Sequence, residues 1–517
     1  MNRDPDVVIV GLGPVGGVLA ALCGQRGLEV TVVERESDIY RLPRAVAMDH
    51  EVLRQLGLIG IADKVLAASN PSEGYEFVNS EREVLVARYQ TGLADTGYPF
   101  ANLFHQPSLE TAIRERLAEL PNVRVMLDSE VVGLEQESET VLTSIRRNDI
   151  DIRVRSRIVV GCDGGRSFVR RCIGSSMRDL GFDEPWLVVD VKLPEGIEAL
   201  SNKAMQLCDP QHPTTSTQSG PGRHRWEFML MPDEDPDDVT REASIRSRLA
   251  PWIDPETVDI ERSAVYRFHG LIADEWRRDR VLIIGDAAHQ MPPFLGQGLC
   301  SGVRDAFNLA WKLLSVIQDG TDILLLDTVS AERSPHVEGI TEAAIQLGKL
   351  VCEMDPQKAA QRDRRFKADK AAGRPPPFPP MPRMQHGILD DHTAGNVLPE
   401  PYAVKKGDTV PVRLDELVGY VPLLIIARDA KPPVEGQDAI KALAALCPSM
   451  RVCQIGATDS SRLELVDQDN HLQAMLDDQE ALLVKPDRIV FGSGDIRTLA
   501  NQWANYMGGA KFSKRVA

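Results

Sequence analysis

The stretch Val7-Val-Ile-Val-Gly11-Leu-Gly13-Pro-Val-Gly16-Gly-Val-Leu-Ala-Ala-Leu22, followed by Val30-Thr-Val-Val-Glu34, decides how the chain folds. Four consecutive apolar residues at 7–10 suit a strand buried on both faces. Val15, Val18, Leu19 and Leu22 keep helical spacing up to Gly27, and Val30–Val33 predicts a second strand. Glycines between strand and helix let the backbone approach a pyrophosphate at the helix N-terminus, and Glu34 closing the second strand suits a ribose 2′-hydroxyl. In this strand–turn–helix–strand setting, Gly11, Gly13 and Gly16 predict dinucleotide binding.

Two more strand–turn units lie far downstream: Arg157-Ile-Val-Val-Gly-Cys-Asp-Gly-Gly-Arg-Ser167 and Arg280-Val-Leu-Ile-Ile-Gly-Asp-Ala-Ala-His289. The second leads through Gly296-Gln-Gly298 into an amphipathic helix with Leu299, Val303, Ala306, Ala310, Leu313 and Val316 on one stripe. Placed at the carboxyl ends of one parallel sheet, the three turns would surround one ligand. Only one fingerprint occurs, so that ligand must be long, with adenosine, pyrophosphate and a further polyol. FAD meets this demand better than NAD. Asp163 and Asp286 are each, taken alone, ordinary turn formers; with Glu34 they make a set.

Composition sets the outer bounds. The chain has 517 residues with 59 Lys+Arg against 76 Asp+Glu, a net charge of −17, and is 43% hydrophobic and 26% charged. That excludes wholesale disorder and, at roughly 150 residues per domain, suggests about three domains. The acidic balance argues against nucleic acid as a partner, and no apolar run is long enough to span a membrane. The eight cysteines form no CxxC pair and no metal-ligand spacing, so no metal site is expected. The N-terminus has no basic region followed by a long apolar core. A cytoplasmic protein with reduced cysteines is the expectation.

Residues 183–275 alternate apolar and polar, as in Trp186-Leu-Val-Val-Asp-Val-Lys and Arg225-Trp-Glu-Phe-Met-Leu-Met, which predicts a mostly antiparallel sheet. Ala372-Gly-Arg-Pro-Pro-Pro-Phe-Pro-Pro-Met-Pro reads as an extended connector. Strands are expected near 409–412, 421–427, 451–455 and 481–485. The expected fold class is α/β: a Rossmann-like FAD-binding domain in two parts (1–182 and 276–355), an inserted substrate-binding β-sheet domain (183–275), a Pro-rich connector (356–399) and a C-terminal domain (400–517).

The motif series from Gly11 to Asn308 resembles the single-component (class A) flavoprotein aromatic hydroxylases. It comprises the glycine turn, Glu34, Cys162-Asp-Gly-Gly-Arg-Ser167, Gly285-Asp-Ala-Ala-His-Gln-Met-Pro-Pro293, Gly296-Gln-Gly298 and Arg304-Asp-Ala-Phe-Asn308. Met291-Pro-Pro-Phe-Leu-Gly-Gln-Gly-Leu-Cys-Ser-Gly-Val-Arg-Asp305 is most like the 3-(3-hydroxyphenyl)propionate hydroxylase branch. Ala481-Leu-Leu-Val-Lys-Pro-Asp-Arg488 resembles the thioredoxin-like tail of that branch and of phenol hydroxylases. Without a CxxC the tail reads as a packing or dimer-stabilising module, compatible with a homodimer.

The resemblance implies a phenolic ring hydroxylated with NAD(P)H as transient reductant and O₂ as co-substrate, through a flavin C4a-hydroperoxide. It places Gly11, Gly13, Pro14, Val15, Gly16, Glu34, Arg35 and Arg44 on the adenosine and pyrophosphate side of a tightly, non-covalently held FAD. Gln106, Gly285 and Asp286 fall at the ribityl chain, and Pro293, Gly296, Gln297, Gly298 and Leu299 at the ring system. Asp163, beside Arg166, serves FAD and nicotinamide or is a salt-bridged structural turn. Cys300 stands where many relatives carry Asn. Pro292 and Pro293 are expected as a rigid wall beside the flavin.

The substrate wall is expected from the 183–275 sheet. Tyr266 and Arg267 are the catalytic candidates there, and Arg225, Trp226, Phe228 and Phe268 the substrate-binding ones, with an arginine available to an aryl carboxylate. Alternation puts Arg225 and Glu227 on one face and Trp226 and Phe228 on the other. A related flavin oxidoreductase, or a flavoprotein serving as a non-catalytic interaction module, is the alternative; no halogenase-type WxWxIP segment occurs.

Overall fold

The structure, a computed structural model, describes residues 4–508 apart from 41–43, 198–199, 375–377, 379–380, 385–392, 405–407, 409, 457–461 and 468–469. Val7–Val10 lies at the centre of a six-stranded sheet, between Ile158–Gly161 and Val30–Val33, with Val281–Ile283 and Val123–Met126 outside them. These five strands are parallel and only the edge strand Arg277–Arg278 is antiparallel. Every residue of Val7–Val10 and Ile158–Gly161 is buried, because helices cover both faces of a parallel sheet. The helices Pro14–Gln25 and Gly298–Ile317 pack into one core with Ile9, Val32, Val160 and Leu282.

The three turns expected at one sheet edge are brought together there. Gly11 follows Val10 at φ +102°, where a Cβ would overlap the carbonyl oxygen of Cys162 in the neighbouring turn. A Cβ on Gly16 would overlap the carbonyl oxygen of Gly11. Helix, first turn and second turn are therefore in backbone contact, which no side chain permits.

An eight-stranded sheet stands over that edge. Its strand order is His289–Gln290, Asp259–Ala273, Met177–Lys192, Arg223–Met229, Thr214–Gln218, Lys203–Leu207, Gly74–Val78, Val84–Tyr89. The antiparallel pairing predicted for 183–275 is present. The boundaries differ, however: Lys203–Leu207 pairs in parallel with Gly74–Val78, so the sheet borrows two strands from the first segment of the chain. Long-range strand pairing of that kind leaves no local mark in sequence.

The span read as a connector also begins differently. Pro356–Ala371 is a helix capped by the Asp355 carboxylate, which accepts from the amides of Gln357 and Lys358. Its Ala, Gln, Lys and Arg content favours helix, and Phe366 anchors it in the core below the large sheet. Of the proline run that follows, residues 375–377 and 379–380 lie outside the described residues.

The C-terminal unit is a seven-stranded sheet in which Leu423–Ile426 pairs in parallel with Arg451–Ile455 and antiparallel with Ala481–Val484. Helices Val434–Leu446 and Ile496–Met507 accompany it in a thioredoxin-like arrangement. Of the strand expected near 409–412, residue 409 lies outside the described residues and only Val412–Arg413 is extended. Among the described residues no helix is long and apolar enough to cross a membrane.

This unit is fastened to the long helix Gly298–Ile317. Trp311 stacks on Trp503, centroids 6.0 Å apart, and the Tyr420 hydroxyl donates to the Phe307 carbonyl. Beside them the carboxylate of Glu332, fully buried, accepts from Lys312 (3.1 Å), Lys485 (3.0 Å), Asn308 (2.6 Å) and the Tyr506 hydroxyl (2.6 Å). Burial alone would raise this acid; the two ammonium groups outweigh it and hold Glu332 down at about 2. Burial likewise lowers Lys312 to about 8, against the pull of Glu332. Lys485, Asp487 and Arg488 of the tail motif all sit at this junction, Asp487 accepting from Asn308 and Arg488 donating to Asp415.

Glu332→Gln leaves two buried ammonium groups with one fewer counter-charge and should destabilise the protein by about 3–5 kcal/mol, read as a lower thermal midpoint. The folded-state pKa is depressed, so this contribution is complete above about 4.5 and is lost as pH falls toward about 2. An acid-melting curve that does not differ between wild type and Glu332→Gln would contradict this. Gly16→Ala forces a methyl against the Gly11 carbonyl and should cost about 1–3 kcal/mol or more; the expected product purifies with little bound flavin.

Candidate functional site

A cavity of about 540 Å³ lies between the turn edge of the six-stranded sheet and the inner face of the eight-stranded one. Gly13, Pro14 and Val15 open it at the start of the first helix, and nothing stands within 4 Å of where a Gly13 Cβ would be. Cys162 and Gly164 contribute from the second turn and Ile284 and Asp286 from the third. Pro293 to Leu299 form one wall, ending at the first residues of the helix Gly298–Ile317. The amides of that first helical turn have no intrahelical acceptors and present a partial positive charge.

This cradle fits FAD on three counts. The Asp286 carboxylate is exposed in the cavity and has no hydrogen-bond partner among the described residues, as a group awaiting a polyol hydroxyl would be. Arg44, also exposed, lines the same side, its guanidinium 5.5 Å from the centroid of the Tyr40 ring. The glycine turns leave backbone rather than side chain facing the cavity.

Several expected contacts work from behind. The Gln106 amide oxygen accepts from the backbone amides of Arg44 (3.0 Å) and Ala45 (2.8 Å), and its NH₂ group donates to Glu110 (2.8 Å). It borders the cavity but positions Arg44. Glu34 accepts from the Leu12 amide (2.7 Å) and the Glu36 amide (2.9 Å), so it fixes the glycine turn. Asp163 accepts from the Ser167 hydroxyl and from the amides of Phe168 and Val169. It caps a short helix rather than pairing with Arg166. Arg35 points to solvent and pairs with Glu36. Gly11, Gly16 and Gly285 shape the turns without facing the cavity, and Pro292 is buried behind Pro293.

The buried carboxylate of Asp305 ties the third turn to the long helix, accepting from the Gly285 amide (3.1 Å) and Arg333 (2.7 Å) and pairing with His289 Nε2 (2.7 Å). His289 is thus held in a structural role through Nε2 and stacked on Trp276, while its buried Nδ1 has no partner among the described residues. One residue earlier, Arg304 reaches the cavity and is held by Asp49 (2.6 Å), Glu51 (2.7 Å) and Gln297 (3.1 Å). Burial raises Asp49, but Arg304 outweighs it and leaves this carboxyl below its ordinary range.

The sheet side requires corrections. Arg267 is more than half exposed, pairs with Asp183 at 2.9 Å and does not line the cavity. Tyr266 lies under the Arg262 guanidinium, 4.6 Å from its centroid, also outside the cavity. Phe268 stacks on Trp186 in the core. Trp226 and Phe228 are buried on the opposite face against Val239, Ile245 and Leu249. The alternation of Arg223–Met229 holds, but the aromatic face is the core face and the Arg225/Glu227 face is the cavity face. Aromaticity is a poor guide to a pocket because the same side chains build cores.

Arg225 does line the cavity, with its guanidinium already committed: two bonds to Asp190 (2.8 and 2.9 Å) and one to the Arg44 carbonyl (2.6 Å). Next to it Glu227, 5% exposed, faces the cavity with Arg225 no nearer than 3.8 Å. Burial raises its carboxyl above the ordinary range, partly offset by Arg225. Thr215, Gln206 and Tyr75 complete this floor. Thr215 donates to Gln206 (2.8 Å) and Tyr75 donates to the Phe294 carbonyl (2.8 Å), joining sheet and flavin-side wall. Arg304 stands in the motif series but was given no role there, and Asp49, Tyr75, Gln206, Thr215 and Glu227 were missed as site residues. Of those five, Glu227 alone had a signal, its shared face with Arg225.

Residues 4–344 match the family described as FAD binding domain. A probable NADH-specific resorcinol 4-hydroxylase of Rhodococcus jostii (strain RHA1) is 39% identical over 422 residues, 81% of this chain and 78% of that one. A 3-(3-hydroxy-phenyl)propionate/3-hydroxycinnamic acid hydroxylase of Mycolicibacterium gilvum (strain PYR-GCK) is 33% identical over 513 residues, 95% of this chain and 89% of that one. Among solved structures, the flavin-dependent monooxygenase PieE, in complex with FAD and substrate, shares the fold: TM-score 0.81 at 22% identity, covering 98% of this chain and 99% of that one. The p-nitrophenol 4-monooxygenase PnpA of Pseudomonas putida DLL-E4 superimposes with TM-score 0.66 at 28% identity, covering 71% of this chain and 94% of that one. With the cradle, the floor and these relatives together, the chain belongs to the FAD-binding family and, within it, to the flavoprotein aromatic hydroxylases.

Proposed function

We propose that the cavity hydroxylates a phenolic ring laid between the Pro293–Leu299 wall and the Tyr75–Gln206–Thr215–Glu227 floor, with NADH as the reductant. The continuity of the cavity carries this reading: a cradle suited to FAD and a floor suited to a small arene share one space. The NADH preference rests on the name of the Rhodococcus relative. When bound, FAD supplies the redox chemistry, using electrons from the nicotinamide to activate O₂ for insertion into the ring.

The chain's own residues then have definable tasks. Asp286 accepts from the polyol, and Arg44, braced by Gln106 and Arg225, faces the dinucleotide phosphates. First-turn amides at Gly298 and Leu299 would stabilise negative charge on a flavin held against this wall. Pro293, lacking an N–H, gives the wall a fixed backbone without a donor that would hold water there. The sheet floor excludes solvent and orients the substrate.

The test is a purified yellow protein assayed for NADH and NADPH oxidation with and without simple phenols, scoring hydroxylated product against H₂O₂. Phenol-stimulated NADH oxidation coupled to product is expected; the reading fails if no phenol accelerates oxidation or yields product. Asp286→Ala should raise the FAD dissociation constant roughly 10- to 100-fold on reconstitution of the apoprotein, the loss of one charge-assisted bond. Unchanged FAD affinity would remove Asp286 from the cradle.

A further inference from the structure

The polar floor of the cavity has a direction. Glu227, Thr215 and Gln206 stand side by side on three neighbouring strands, Thr215 opposite Glu227 and Gln206 opposite Thr215. The hydroxyl protons at this floor are already used: that of Thr215 goes to Gln206 and that of Tyr75 to the Phe294 carbonyl. Two of the cavity's charged donors, Arg225 and Arg304, are used as well. Arg225 is bound to Asp190 and the Arg44 carbonyl, and Arg304 to Asp49, Glu51 and Gln297.

At this end of the floor the acceptor left without a donor is Glu227. Glu227 is 5% exposed and no described residue lies within hydrogen-bond distance of its carboxyl oxygens, the nearest charged atom being the Arg225 guanidinium at 3.8 Å. A buried polar group without a partner costs roughly 1–3 kcal/mol, so a ligand that brings a donor recovers that cost. A ligand carboxylate brings only acceptors and negative charge.

We propose that Glu227 forms a subsite for a second ring hydroxyl, so that the enzyme takes a neutral benzenediol in preference to a phenol carrying a carboxylate. The inference rests on the phenol-hydroxylase reading and narrows its substrate class. Glu227 accepts the hydrogen bond of the hydroxyl that is not at the reacting position, and Thr215, with lone pairs free, flanks it. Arg88 is the rival feature. It lines the cavity, is exposed and has no ion-pair partner among the described residues. It stands on Val84–Tyr89, four strands from Glu227, roughly 19 Å at about 4.8 Å per strand. A substrate carboxylate would be held at that rim, opposite Tyr75 and away from Glu227.

The experiment measures ligand dissociation constants on the FAD-loaded protein, from perturbation of the flavin spectrum, in wild type, Glu227→Gln, Glu227→Met and Arg88→Ala. The probes are 1,3-dihydroxybenzene, 3-methylphenol, which replaces the second hydroxyl by a methyl, and 3-(3-hydroxyphenyl)propionate. Wild type should bind the diol roughly 10-fold or more tighter than 3-methylphenol, and Glu227→Met should abolish that preference while moving 3-methylphenol by less than about 3-fold. Glu227→Gln, which keeps an acceptor oxygen, should retain part of it.

Equal losses for diol and methylphenol in Glu227→Met would make Glu227 merely structural and overturn the proposal. So would a wild type that binds the aryl acid more tightly than the diol, with Arg88→Ala removing that affinity. If Glu227→Met does not fold, the wild-type order of affinities and Glu227→Gln decide. The phenol reading falls separately: if none of the three probes binds or is hydroxylated while other classes of compound stimulate NADH oxidation, both fail, whereas tight aryl-acid turnover sinks only the diol subsite.

Discussion

The backbone contact among the first helix, its glycine turn and the Cys162 turn is the constraint on which the rest of the molecule depends. Gly16 touches the carbonyl of Gly11, and Gly11 touches that of Cys162, so no side chain separates these segments. Parallel pairing of Val7–Val10 with Ile158–Gly161 brings the turns to one edge, and the absence of Cβ atoms lets them close. Were either glycine replaced, the cradle would be wider and its amides would no longer converge. The floor above is built to the same measure, since Arg225 reaches down to the Arg44 carbonyl and Tyr75 to the Phe294 carbonyl.

The helix Gly298–Ile317 transmits that geometry through the protein. Its apolar stripe belongs to the FAD-unit core, while its polar residues each face a different neighbour. Arg304 looks into the cavity, Asp305 clamps the Gly285 turn, and Asn308 and Lys312 meet the C-terminal unit through Glu332 and Asp487. Arg304, Asn308 and Lys312 follow one another at four-residue spacing, one face of a helix. A second route joins the same parts: Arg488 and Arg54 share the Asp415 carboxylate, and the helix bearing Arg54 begins at Asp49, the partner of Arg304. The C-terminal unit is therefore wired to the cavity by buried charge. Such charges stay buried only because each has its counterpart.

The parts legible in sequence were those with a short-range signature. Glycine spacing, the acid at 34 and the two later turns gave the nucleotide edge, and period-two alternation gave the antiparallel sheet and the correct division of Arg225 from Trp226. What escaped is non-local. Nothing in Gly74–Val78 announces a parallel partner at Lys203–Leu207, and nothing in Tyr266 or Arg267 distinguishes a pocket strand from one whose arginine pairs with Asp183. Asp163 and Gln106 sit where motif reading puts them, yet their bonds go to the protein's own backbone and side chains. The residues of the floor are ordinary Thr, Gln and Glu in alternating strands, and only the pairing register sets them side by side.

The borrowed strands of the large sheet bear on how the chain assembles as it is made. Gly74–Val78 emerges long before Lys203–Leu207, its partner, so this edge must wait unpaired while more than a hundred residues follow. High sequence separation of that kind slows folding and leaves strand edges exposed meanwhile. The long helix waits longer still: Asn308 and Trp311 meet Asp487 and Trp503 only when the C-terminal unit has been synthesised. The C-terminal unit thus closes late, and the pocket it braces reaches its working shape only after Asp487 and Trp503 have been made.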